Sequence, residues 1–252
     1  MKNKLLFTTF LALIIGVSAH AQTDTTVRMF QSGMGIYAEF GLLPNNQTMR
    51  EQLDRLQIKP FTSFMGSIVL AKRTESQRWF SEGRLIIMNS TNYTTDKDVR
   101  KAYLGGFGIG TDGGPKLVNN KRWNVLLPIG FDLMLYRLKI KGNQTATIGQ
   151  VLQNPSSFEP VKLTTGNINL HAGIGADYKI NFLPKWHDQV YISGKATYHL
   201  PILGRRKWKT EDVTISDLSS LKLNQVYLQI GLVFFPKNNG KMWGPMGMHK
   251  KG

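Results

Sequence analysis

Hydrophobic and polar residues alternate strictly through Asn167–Phe182. Ile168, Leu170, Ala172, Ile174, Ala176, Tyr178, Ile180 and Phe182 share one parity, and Asn167, Asn169, His171, Gly173, Gly175, Asp177, Lys179 and Asn181 share the other. Period 2 marks a β-strand with two unlike faces, and this stretch is longer than an ordinary half-buried strand. The same alternation recurs in Gly33–Leu43, Ser63–Lys72, Arg78–Thr91, Val99–Gly110, Trp123–Ile140, Gln189–Pro201 and Leu223–Phe235. The pattern predicts an all-β fold of about eight strands. One face is apolar throughout, while the other mixes charges, amides, small residues and glycines, as the interior of a narrow barrel requires.

The links between these segments alternate roughly in length, with long ones after the first, fifth and seventh. Even strand number and alternating links predict a closed antiparallel transmembrane β-barrel with a polar, side-chain-filled lumen. The first link, residues 44–62, carries the capping-box pattern Thr48-Met49-Arg50-Glu51 with Met49, Leu53 and Leu56 at helical spacing, which predicts one short helix in the first outer loop. Pro128 cannot donate to a ladder, so a bulge or an otherwise unpaired donor is expected there.

The start of the chain changes the picture. Lys2 and Lys4, an apolar run from Leu5 to Val17 and the small-residue pattern Ala19-His20-Ala21 predict a cleaved signal peptide over residues 1–21. The expected organisation is then a periplasmic segment at 22–32, the barrel at 33–235 and a basic periplasmic tail at 236–252. The absence of cysteine excludes disulfides, thiolate metal sites and cysteine nucleophiles. A formal charge of +16, two less without Lys2 and Lys4, points to a polyanionic neighbour. For an exported chain, lipopolysaccharide phosphates suit that role better than nucleic acid.

Candidate chemistry narrows to a few clusters. Gly108-Ile109-Gly110-Thr111-Asp112-Gly113 matches G-x-G-x-x-G, but Gly114-Pro115 follows where a dinucleotide site needs a helix, so the match reads as a strand end and turn. No cofactor, metal or catalytic set is expected. Glu39, Glu82, Arg84, Asp132, His171, Asp177, Lys179 and Lys195 share the polar parity and are expected to form a mutually neutralising lumen network. His171 or His199 with Ser193 is the rival arrangement, which a lipid-modifying hydrolase could use. Arg205-Arg206-Lys207-Trp208-Lys209, in the last outer loop, is the expected contact for lipopolysaccharide or another anion.

With these alternating segments, the signal ending Ala-His-Ala-Gln and the closing strand Val226–Phe235, the chain resembles the small outer-membrane β-barrel proteins of Gram-negative bacteria. The resemblance covers roughly Gly33 to Phe235. Such barrels often end at the last aromatic, whereas here residues 236–252 continue. Trp79, Trp123, Phe182, Tyr198, Phe234 and Phe235 fall near strand ends, where interfacial girdles sit. The expected function is a non-enzymatic envelope role, structural or interacting, with the accessory subunit of a larger outer-membrane complex as its finer form. A periplasmic lipocalin-like carrier shares the alternation with its faces reversed.

Overall fold

The alternating segments form long strands because each offers one continuous apolar face, which a helix of the same sequence would scatter round its circumference. The computed structural model describes residues 31–42, 46–90, 100–142, 153, 160–180, 182, 187–204, 207–210, 214–215, 218–219, 221 and 225–236. The expected signal peptide, most of the basic tail, and Arg205 and Arg206 lie outside the described residues. In chain order the elements are β1 (Gln31–Leu42), α1 (Gln47–Arg55), β2 (Ile58–Lys59), β3 (Phe64–Glu75), β4 (Trp79–Ser90), β5 (Arg100–Asn119), β6 (Trp123–Leu126), β7 (Ile129–Lys141), β8 (Val161–Ile180), β9 (His187–Gly204), β10 (Trp208–Lys209), β11 (Thr214–Ile215) and β12 (Gln225–Pro236).

Each long strand pairs antiparallel with the next one along the chain: β1 with β3, β3 with β4, β4 with β5, β5 with β7, β7 with β8, β8 with β9, and β9 with β12. β12 then pairs with β1, Met34 opposite Phe234 and Gly41 opposite Tyr227, so the ladder returns to its first strand. Among the described residues no helix is long and apolar enough to cross a membrane.

The expected count of about eight strands is too low, because segments read as connections carry strand structure. β2 pairs parallel with the start of β5, and β10 pairs with β8 and β11. β5 continues to Asn119 through Thr111-Asp112-Gly113-Gly114-Pro115, a stretch expected to be a turn. Pro115 is tolerated because the next donor, Lys116 N, reaches the Arg78 carbonyl at 2.8 Å, and the Pro115 carbonyl itself accepts from Leu127 N. Pro128 separates β6 from β7, yet the pairing with β8 keeps one register across it, Leu126 opposite Gly175 and Ile129 opposite Ala172. The register shift falls on the partner strand instead, between Lys116 and Val118.

The faces separate as the parity predicts. Ile68, Leu135 and Leu228, pointing outward, are 58, 63 and 55% exposed, while the opposite parity is buried. One outward position among the described residues differs, Val190, which is buried; Phe235 has the inward parity and is buried against the Tyr191 ring at 5.8 Å, so it does not join an outer girdle. At the end of the ring where β1 leads into α1, the interior is apolar. Met49 and Leu53 of α1 pack there with Phe61, Met65, Leu104, Leu138, Leu163 and Trp208. Leu56, expected on the same helical face, is exposed. The capping box is not used: Asn46 is the N-cap without a side-chain cap bond, and Glu51 accepts from Gln47 Nε2 at 2.9 Å instead.

Candidate functional site

Below that apolar cap the interior is occupied by charge. Inward positions of β1, β3, β4, β5, β7, β8 and β9 contribute Glu39, Arg73, Glu75, Glu82, Arg84, Asp112, Lys116, Asp132, Asp177 and Lys195, whose side chains are all buried. Burying a charge is costly unless it is paired and hydrogen-bonded, and these are arranged in contact. Arg84 Nη2 donates to Glu39 Oε2 at 3.0 Å, and Gln229 Nε2 reaches the same oxygen at 3.1 Å. Arg84 Nη1 faces Asp112 at 3.7 Å and Asp132 at 3.8 Å. Lys195 Nζ bridges Glu82 at 2.5 Å and Asp112 at 3.3 Å.

A second cluster joins this one through Glu82. Tyr37 donates to Glu82 Oε1 at 2.7 Å, and Arg73 Nη1 approaches that oxygen at 3.5 Å. Arg73 Nη2 also holds Asp177 at 2.5 Å and Glu75 at 3.2 Å, and Lys116 closes on Glu75 at 3.1 Å. The guanidinium lies over the Phe80 ring, 5.2 Å from its centroid, and Lys195 Nζ stands 5.1 Å from the Tyr37 centroid. Fixed in this way, the side chains cross-link nearly every strand of the ring.

His171 and His199 are directly opposite on β8 and β9 and stack with ring centroids 4.7 Å apart. Their Nδ1 atoms lie 3.1 and 3.4 Å from Asp132 Oδ2. Arg84 Nη1 is 3.4 Å from His171 Nε2 and can only donate, so the proton of a neutral His171 is on Nδ1, toward Asp132. Thr197 Oγ1, 3.0 Å from His199 Nε2, allows His199 the same tautomer.

Asp132, His171 and His199 bring their donor atoms within 4.8 Å of one another, the donor set of a two-His, one-carboxylate cation site. The Arg84 guanidinium at their side does not fit a bound cation. Its charge already faces Asp132, and its donor on His171 Nε2 occupies the nitrogen lone pair that a cation would need.

The structure places Glu39, Glu82, Arg84, Asp132, His171, Asp177 and Lys195 in contact with one another or through Arg73 and Asp112. Lys179 is half-buried and makes none of the ion pairs among the described residues. The sequence reading misses Tyr37, Arg73, Glu75, Asp112 and Lys116; extending the inward parity past Lys72 and Gly110 finds the four charged ones. In the last loop Lys207 and Lys209 are exposed, but Trp208 is buried and donates from Nε1 to the Ser219 carbonyl at 3.1 Å, so it belongs to the cap.

The glycine motif has a packing role. A Cβ at Gly108 would collide with Met134 Sδ, and one at Gly110 would collide with Asp132 Oδ1. These glycines leave room for inward side chains of β7, and no helix follows them.

No family model matches the chain, and no curated protein does. Similar solved structures include a major outer membrane protein from Thermus thermophilus, at 8% identity and TM-score 0.47, covering 81% of this chain and 98% of that one. Ail, the attachment invasion locus protein of Yersinia pestis, is 9% identical with TM-score 0.41, covering 82% of this chain and 97% of its own. The transport unit of the autotransporter AIDA-I from Escherichia coli is 9% identical with TM-score 0.32, at 85 and 93% coverage. What decides the architecture is the chain's own inversion, with exposed aliphatic side chains all round the ring and paired charges inside it. The fold is a ring of antiparallel strands with the apolar-out, polar-in arrangement of a transmembrane β-barrel. In such a barrel the network above is interior filling that also ties the wall together.

Proposed function

We propose that the protein is a closed, non-enzymatic barrel that spans the outer membrane and serves there as a structural or interaction subunit, exported by its cleaved signal peptide. The observation that carries this reading is the exposed apolar belt, which includes Met34, Ile68, Ile87, Phe107, Leu133, Ile174 and Leu228 and is contributed by every long strand. Strands of twelve residues or more exceed the roughly 9–11 residues needed to cross a bilayer at a tilt. In this orientation the β1 start and β12 end face the periplasm and the α1 cap faces outward.

The interior geometry supports a structural role over hydrolysis. Ser193 and His199 lie six residues apart on β9, about 20 Å along an extended strand, so His199 cannot activate Ser193. Ser193 sits opposite Asp177, and His171 opposite His199. A lipocalin-like carrier would need the opposite distribution, with apolar side chains inside and charges outside.

The test is fractionation followed by detergent extraction. The protein is expected in the outer-membrane fraction, migrating faster unheated than boiled in electrophoresis because the closed strand ladder resists detergent. Recovery in the soluble periplasmic fraction overturns the reading. Affinity purification from solubilised membranes then tests the accessory-subunit form, through the presence or absence of a stoichiometric partner.

A further inference from the structure

The outer surface of β5, β7 and β8 changes chemistry within one step of the ladder. Toward the capped end, successive cross-strand rows are Ile109–Leu133–Ile168, Phe107–Leu135–Gly166, Gly105–Arg137–Thr164, Tyr103–Lys139–Lys162 and Lys101–Lys141. β10 places Lys209 beside Thr164, whose hydroxyl donates to the Lys209 carbonyl at 3.3 Å. Two apolar rows are therefore followed directly by basic ones. Lys139 stands opposite Lys162, a like-charge pair that is unfavourable unless an anion joins it. None of the ion pairs among the described residues uses Arg137, Lys139, Lys162 or Lys209.

Beneath these cations the wall has a notch. Gly166 has no side chain between Leu135 and the next strand, and a groove of about 360 Å³ opens there, lined by Leu133, Leu135, Thr164, Gly166, Ile168 and Leu203. A Cβ at Gly166 would come within 3.2 Å of Leu135 Cδ2, so a larger residue fills the space.

We infer that this face binds a phosphate-bearing lipid of the outer leaflet, its phosphate among Arg137, Lys139, Lys162 and Lys209 and an acyl chain in the Gly166 groove. The inference rests on the transmembrane reading above. Arg137 offers paired donors to phosphate oxygens, and the lysines add point charges. A free anion would use the cations but gain nothing from the apolar groove. A neutral lipid would leave the basic rows uncompensated. The joined pair of features selects an anionic lipid.

The test uses the full protein inserted into phosphatidylcholine nanodiscs, challenged with diphosphorylated lipid A or the same lipid stripped of phosphate, with retained lipid read by native mass spectrometry. The phosphorylated lipid is expected to stay bound and the stripped one to be lost. R137Q/K162Q/K209Q is expected to weaken retention at least about tenfold, since three of the cations that attract the phosphate are removed. G166F, which keeps all the cations, is expected to weaken it several-fold. Equal retention of the stripped lipid, or undiminished binding by the triple variant, overturns the site. Displacement of the lipid by millimolar inorganic phosphate assigns the cations to a free anion and overturns it too. Wild-type retention by G166F overturns the groove's part in it. Failure of the protein to enter the nanodiscs at all sinks the membrane reading, whereas an inserted barrel without lipid preference sinks only this one.

Discussion

Arg84 stands among four interior side chains, Glu39, Asp112, Asp132 and His171. Replacing it with Met keeps the apolar stem and leaves three buried carboxylates without their shared cation. Removing one partner from a buried pair costs about 3–5 kcal/mol, and R84M is expected to lose that much in urea unfolding of the vesicle-inserted barrel. The double variant E39Q/R84M should recover part of the loss, and a midpoint equal to wild type in R84M would remove the network from the stability of the barrel. Parity alone makes Glu39, Glu82, Arg84, Asp132, His171, Asp177 and Lys195 legible in the sequence, because period 2 fixes a side chain's face wherever the strand is certain. Arg73, Glu75, Asp112 and Lys116 have the inward parity but lie past the segments that alternation marks as strands, among Thr, Gly and Pro, residues whose local preference is a turn. Pairing with β1 and β4 keeps the first two extended, and pairing with β4, β6 and β7 the other two.

At the scale of elements, α1 is held by tertiary contact. Nine residues are too few for a stable isolated helix, and its buried Met49 and Leu53 supply the attachment to the cap. L53D is expected to undock the helix, speeding tryptic cleavage at Arg50 and Arg55 by about tenfold or more while the unheated barrel band persists. Cleavage at the wild-type rate would show the helix held by something else. On β5, G110L is expected to push Asp132 away from Arg84 and lower stability by a few kcal/mol, because the new side chain takes the space of a paired carboxylate. An unchanged urea midpoint would deny the glycine that role. The long strands are legible from alternation, but the short β2, β10 and β11 are not, since two residues carry no period and those strands exist only through their partners, β5 for β2, β8 for β10 and β10 for β11.

For the molecule as a whole, the described interior is filled by paired charges and, toward α1, by the apolar cap. Planar bilayers containing the protein are expected to show no steady conductance, whereas regular porin-like steps would reveal an open pathway. The ring of pairings has a temporal consequence as well. Gln229 and Glu39, hydrogen-bonded at 3.1 Å, are 190 residues apart in sequence. β1 therefore leaves the ribosome long before the strand that completes it, and its partner edge must stay unpaired, and shielded from other chains, until β12 is made. Closure waits for the last strand to arrive. If the chain is exported as proposed, a form truncated before residue 225 is expected to be degraded without ever giving the compact band, because the edge of β1 then never meets β12.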